Sequence, residues 1–327
     1  MKVWAEEMIS AKVKIPFPIL SFPGLELTGD SVLKAVTDGE RQADGVVAIS
    51  KKYKMSGAVT FMDLSVEAEA FGSEVRFSDH EVPTIIDRII ETRDDAENLA
   101  IPEIGSGRTA ACILAVRRAK EQITDRPVFA GQIGPYSLAG RLMDMTELMI
   151  NMSEEPEFVH SVLDKVTSFL ISYARALKET GCDGIMLAEP AAGLISPLQS
   201  EEFAMNYVKR VIEAVQDENF AVILHNCGNT VGMVKHMENT GALGLHFGNA
   251  VDMRLILPQV SSHVLVFGNL DPARVLKNGT IEDVRKGVEE LLEIGESYPN
   301  FILSSGCDVP PGTPFENLDM FFRAGTN

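Results

Sequence analysis

Three residues carry the chemistry of a metal site. His225 and Cys227 stand two apart in "ILHNCGN" (223–229), at the end of an apolar run, and Cys307 follows another apolar run in "LSSGCDVPPGTP" (303–314). Imidazole and thiolate are the donors that zinc, a borderline-soft ion, takes in tetrahedral geometry. Three protein ligands leave a fourth position for substrate. A strand has a side-chain period of two, so His225 and Cys227 can point the same way. A buried cysteine beside an unrelated histidine gives the same letters, and the pair alone leaves both readings open. The chain has six histidines and four cysteines. No two cysteines have CxxC spacing, which argues against a zinc knuckle, and four are too few for a disulfide framework in so long a chain. Cys112 lies in a helical pattern and Cys182 in a turn. His80, His160, His236 and His263 read as surface or helix residues.

Short apolar runs separated by amphipathic stretches must position these groups. Strands are predicted at 17–22, 58–63, 128–133, 184–189, 221–226, 242–247, 264–269 and 301–306. Most are continuously apolar, as strands buried on both faces are. One helix is expected from near Ser153 to Gly181. Another begins after Thr280, an N-cap with Asp283 three residues on, and closes by Gly295. Eight strands alternating with helices predict an α/β fold, a (β/α)8 TIM barrel in one domain spanning 1–327. Gly72 to Arg126 would be an inserted excursion after strand 2. An open doubly wound sheet is the competing architecture, and the lack of a Gly-rich phosphate loop speaks against it.

Barrel chemistry sits at the C-terminal ends of the strands. Those ends carry Asp63, Gln132, Glu189, His225 with Cys227, His246, Asn269 with Asp271, and Cys307 with Asp308. Strands 5 and 8 lie across the barrel, so loops at its mouth can bring His225, Cys227 and Cys307 together. Glu189 ends the neighbouring strand 4; it is expected either as a fourth ligand in the resting state or as a carboxylate in a polar network or helix cap. Asp63, Gln132, Asn269 and His246 are expected to line the cofactor cavity, with a satisfied core histidine as the other reading of His246.

The net charge of −18 and a pI near 4.8 argue against nonspecific binding to nucleic acid or an anionic membrane. No apolar run reaches the roughly 18–20 residues that span a bilayer. The start "MKVWAEEMIS" has no signal-peptide core, so a cytoplasmic location is expected.

Beyond chemistry and layout, the motifs resemble the uroporphyrinogen decarboxylase superfamily over nearly the whole chain. "FMDLSVEAEAFGSEV" (61–75), "GQIGP" (131–135) and "VFGNLDP" (266–272) carry the likeness. "HNC" with the later "SGCDVP" resembles its corrinoid methyltransferase branch, in which such a His-x-Cys and a distant Cys bind zinc. The resemblance implies methyl transfer between a corrinoid, methylcobalamin or a corrinoid protein, and a zinc-activated thiol such as coenzyme M. The alternatives are demethylation of a small-molecule donor onto a corrinoid protein, or uroporphyrinogen decarboxylation. The last is disfavoured: "FPILSFPGLELTG" (17–29) has none of the arginines that grip porphyrinogen carboxylates, and Cys307 stands where the decarboxylases have a histidine. Asp63 still matches their pyrrole-binding Asp. The chain has no D-x-H-x-x-G cobalamin pattern, so the corrinoid is expected on a separate protein. Oligomerisation is left open.

Overall fold

Seven of the eight apolar runs form strands of a single parallel sheet. The computed structural model describes residues 1–326. The strands are β1 (Ala58–Val59), β2 (Val128–Ile133), β3 (Gly184–Ala188), β4 (Ala221–Asn226), β5 (Gly244–Phe247), β6 (Leu265–Leu270) and β7 (Phe301–Ser305), paired in chain order. Nearly all their residues are buried, as a sheet covered on both faces requires.

Alternate strand residues sort into two apolar clusters. Phe129, Met186, Ile223, Phe267 and Ile302 meet on the concave side of the curled sheet. Ala130, Leu187, Leu224, Val266 and Leu303 pack outward against helices. The outer layer includes α1 (Gly39–Lys52), α2 (Thr109–Gln122), α3 (Pro135–Met143), α4 (Pro156–Lys178), α5 (Asn206–Val215), α6 (Ile281–Gly295) and α7 (Phe315–Gly325). In α4 the expected Val159, Val162, Val166, Phe169, Leu170 and Tyr173 are all buried. The helix starts later than expected because Pro156, which lacks an N–H, separates it from a preceding helix, Met145–Glu154. Gly181, at φ +87°, turns the chain into β3. The capping box of Thr280 and Asp283 opens α6, as its sequence predicts.

Residues 17–22 were expected as the first strand and form no ladder. Pro16 and Pro18 lack the N–H groups a ladder needs. The segment nevertheless runs between the two sheet edges. Ser56 N–H donates to Pro16 O (3.1 Å), and Phe17 N–H donates to Leu303 O (2.9 Å). Ser305 Oγ accepts the Ile19 N–H at 3.0 Å. Phe17 and Ile19 complete the concave cluster, and Ala5 and Met8 of the N-terminal helix Lys2–Ser10 cover it from below. The stretch 72–126 holds a two-stranded hairpin (Val75–Arg76 with Thr84–Ile85), a short helix (Arg93–Asn98) and α2. Its last third is part of the helical layer, since Ala119 of α2 packs with Val46 of α1 and Val128 of β2. Among the described residues, no helix is long and apolar enough to cross a membrane.

Candidate metal centre

The parity that puts Ile223 on the concave side does the same for His225, two residues on, at the C-terminal end of β4. Cys227 follows in a tight turn. Asn226 holds that turn, donating from Nδ2 to Glu189 O (2.7 Å) and accepting the Gly228 N–H on Oδ1 (2.8 Å). The chain beyond β5 presses on it: a Cβ on Gly248 would lie 2.3 Å from Cys227 Cα, so only glycine fits there. Cys307 comes in from β7, where Gly306 N–H donates to Leu270 O (2.6 Å) and Val309 N–H to Ile19 O (2.9 Å). One donor atom from each of His225, Cys227 and Cys307 lies within 4.8 Å of the other two, the one such trio among the described residues.

The thiols are unequal. Hydrogen bonding from Cys307 pulls Cys227 down against burial. The same bond, with burial, pushes Cys307 up.

His246 lies opposite His225 in the β4–β5 register. The rings meet edge to face, with centroids 4.7 Å apart and an interplanar angle of 76°. Nδ1 of each faces the other at 2.8 Å, and His246 Nε2 meets Ser304 Oγ at 2.8 Å. Burial, then the neighbouring His225, pushes His246 well below the usual imidazole range, so it is neutral. His225 Nε2 is buried without a hydrogen-bond partner.

Other residues singled out from the sequence sit elsewhere. Glu189 is fully buried on the N-terminus of α3. Its Oε2 accepts the Tyr136 N–H (2.9 Å), and its Oε1 accepts the Ser137 N–H (2.7 Å) and hydroxyl. With both oxygens engaged it is a helix cap, outside the trio. Gln132 shares the parity of Ala130, so it faces outward and donates to Leu170 O of α4 (2.8 Å), away from the expected cavity. Asn269 is a tie: its Nδ2 donates to Gly248 O (2.9 Å) and Val251 O (2.8 Å), anchoring the loop that presses on Cys227. Asp63 is spent on protein partners. Its Oδ1 accepts from Ser65 N (3.0 Å) and Oγ (2.6 Å), and its Oδ2 is ion-paired with Arg108. Arg108 also reaches Glu69 (2.6 Å) and Ser65 (2.7 Å). Sequence reasoning missed Arg108, which comes from the stretch after β1, and Ser304. For Ser304 a signal existed, a hydroxyl two residues after the concave-facing Ile302 in an otherwise apolar strand.

The family profile described as "Uroporphyrinogen decarboxylase (URO-D)" matches residues 24–327. The methylcobamide:CoM methyltransferase MtbA of Methanosarcina acetivorans is 29% identical over 307 residues, covering 93% of this chain and 89% of that protein. A uroporphyrinogen decarboxylase of Hydrogenovibrio crunogenus is 25% identical over 290 residues, covering 84% and 80%. A solved methyltransferase from Methanosarcina mazei shares the fold, with a TM-score of 0.88 over 99% of this chain and 97% of that one, at 23% identity.

Proposed function

The chain belongs to the uroporphyrinogen decarboxylase family, and from that membership we propose that it is a corrinoid-dependent methyltransferase with a zinc site at His225, Cys227 and Cys307. The reaction moves a methyl group between a corrinoid, carried as methylcobalamin or on a separate protein, and a small thiol such as coenzyme M. The observation that carries this reading is the convergence of one imidazole and two thiols at the mouth. The likeness to the methylcobamide:CoM methyltransferase MtbA supports the choice of reaction.

The residues fit the ion. Tetrahedral zinc with Zn–S near 2.3 Å sets its ligand atoms about 3.5–3.8 Å apart, within the 4.8 Å that bounds this trio. The orphaned His225 Nε2 is a buried acceptor that a metal would satisfy. When bound, zinc lowers the pKa of a substrate thiol so that a thiolate nucleophile exists at neutral pH. The chain's own groups set up that chemistry. The two cysteines, as thiolates, would offset the charge of the ion. The Cys227 turn and the Gly248 loop hold the sulfurs at the barrel mouth. Glu189, kept on α3, leaves the fourth position to substrate.

Decarboxylation is the weaker reading, because the Asp63 carboxylate that a pyrrole would need is engaged by Arg108 and Ser65. The proposal takes the chain as one (β/α)8 barrel domain, with residues 16–20 bridging the sheet edges, working in the cytoplasm. Two measurements test it. The purified protein should hold about one zinc per chain, lost in His225→Ala and Cys307→Ala, and should demethylate methylcobalamin only with a thiol present. Full zinc retention in both variants would sink the site. Methyl release from an ether or amine donor, with no thiol active, would reverse the direction of transfer.

A further inference from the structure

We infer that Ser304 and His246 are positioning residues that fix which nitrogen of His225 is open to the metal, an inference that rests on the zinc-site reading above. Four hydrogen-bonding groups stand in a row, Phe17 O, Ser304, His246 and His225. A carbonyl carries no proton, so at the Ser304 Oγ to Phe17 O contact (2.6 Å) the serine hydroxyl donates. With its only hydrogen committed, Ser304 Oγ can only accept at its second contact, and His246 Nε2, 2.8 Å away, must carry the proton there. The His246 ring is fully buried, and its hydrogen-bonding neighbours are His225 and Ser304, with no carboxylate to hold a second proton. Its Nδ1 is therefore a lone pair. His225 Nδ1, 2.8 Å from that lone pair, must donate. What remains on His225 is Nε2 as a bare lone pair, buried, with no other partner.

Every link is thus polarised in one direction, from the Phe17 carbonyl through Ser304 and His246 to the ligand nitrogen. Without the chain, His225 could hold its proton on either nitrogen, and the Nε2–H form would put a hydrogen where the ion must bind. The chain also orients the His225 ring by fixing its Nδ1–H against a strand neighbour. Ligating histidines generally depend on such outer partners, whose loss costs roughly 10–100-fold in metal affinity. The origin of the polarity lies in the segment 16–20 that bridges the sheet edges, so the ligand's tautomer is tied to that closure.

The test reads zinc affinity of the metal-free protein by competition with a chromophoric chelator, alongside the thermal midpoint of the same metal-free samples. Ser304→Ala and His246→Phe should each weaken zinc by about 10–100-fold, a loss larger than any change in midpoint accounts for. His246→Gln, which keeps one acceptor and one donor, should recover most of the affinity. The Ser304→Ala/His246→Phe double variant should bind no worse than His246→Phe alone, because the two act as one chain. Wild-type zinc affinity in Ser304→Ala and His246→Phe, with binding still lost in His225→Ala, would overturn this inference and leave the zinc site standing. Additive losses in the double variant, or failure of His246→Gln to recover, would likewise overturn it. Equal zinc binding by wild type and His225→Ala would overturn the site itself.

Discussion

Asn226, Gly248 and Asn269 shape the backbone that carries Cys227, so a candidate donor depends on residues with no donor role. Asp63 illustrates the converse, a site-like residue used for structure. Its partner Arg108 is 7% exposed, and both sit in a network closed by Ser65 and Glu69. Removing one partner of a buried pair leaves an uncompensated charge. Arg108→Ala is therefore expected to destabilise the fold by about 3–5 kcal/mol, read by urea unfolding. A loss under about 1 kcal/mol, as for exposed pairs, would return Asp63 to the role of a cavity-lining carboxylate.

At the scale of elements, α3 and the end of β3 are joined through Glu189. Burial pushes this carboxyl up to about 7, against the pull of the Ser137 hydroxyl and the helix N–H groups. The folded value lies above the unfolded one, near 4.5. The native chain then binds more protons than the unfolded chain across that window. Its contribution is complete below about pH 4.5 and is lost as pH rises through about 7. Glu189→Gln should flatten the decline in thermal midpoint between about pH 5 and 7.5, and should keep its zinc. Zinc lost on this substitution, with the pH profile unchanged, would make Glu189 a ligand after all.

For the whole molecule, the concave cluster is a sealed interior only because the chain's first 20 residues complete it. Trp4 packs against Phe129 and Phe17, with centroids 5.5 and 6.2 Å away, and donates its indole N–H to Ser56 O (3.2 Å). It is the only tryptophan in the chain. Trp4→Ala should cost about 2–4 kcal/mol, somewhat below a fully buried aromatic. In the wild type, Trp4 fluorescence should red-shift in the same denaturant range where helical dichroism is lost. A red shift well before that loss would mean that the N-terminal helix opens independently of the sheet.

Local order was legible in the sequence because it depends on near neighbours. The apolar runs and the Thr280 cap follow from spacing along the chain. The prolines at 16 and 18 were equally visible, and they explain why the first apolar run crosses the sheet edges without forming a ladder. What the sequence did not contain was facing and partnership. Gln132 and His225 both end apolar strands, yet one faces the helices and the other the interior, because facing depends on how each strand is set against its neighbours. Asp63 met Arg108 from 45 residues on, and Glu189 met the α3 N-terminus, because a buried charge is satisfied by whatever donor packing brings near. Register alone put His246 opposite His225, and sheet closure alone put Ser304 within reach of Phe17. The sequence by itself determined which donors stand at strand ends. Tertiary structure decided which of them meet, since only long-range packing sets distances between residues far apart in the chain.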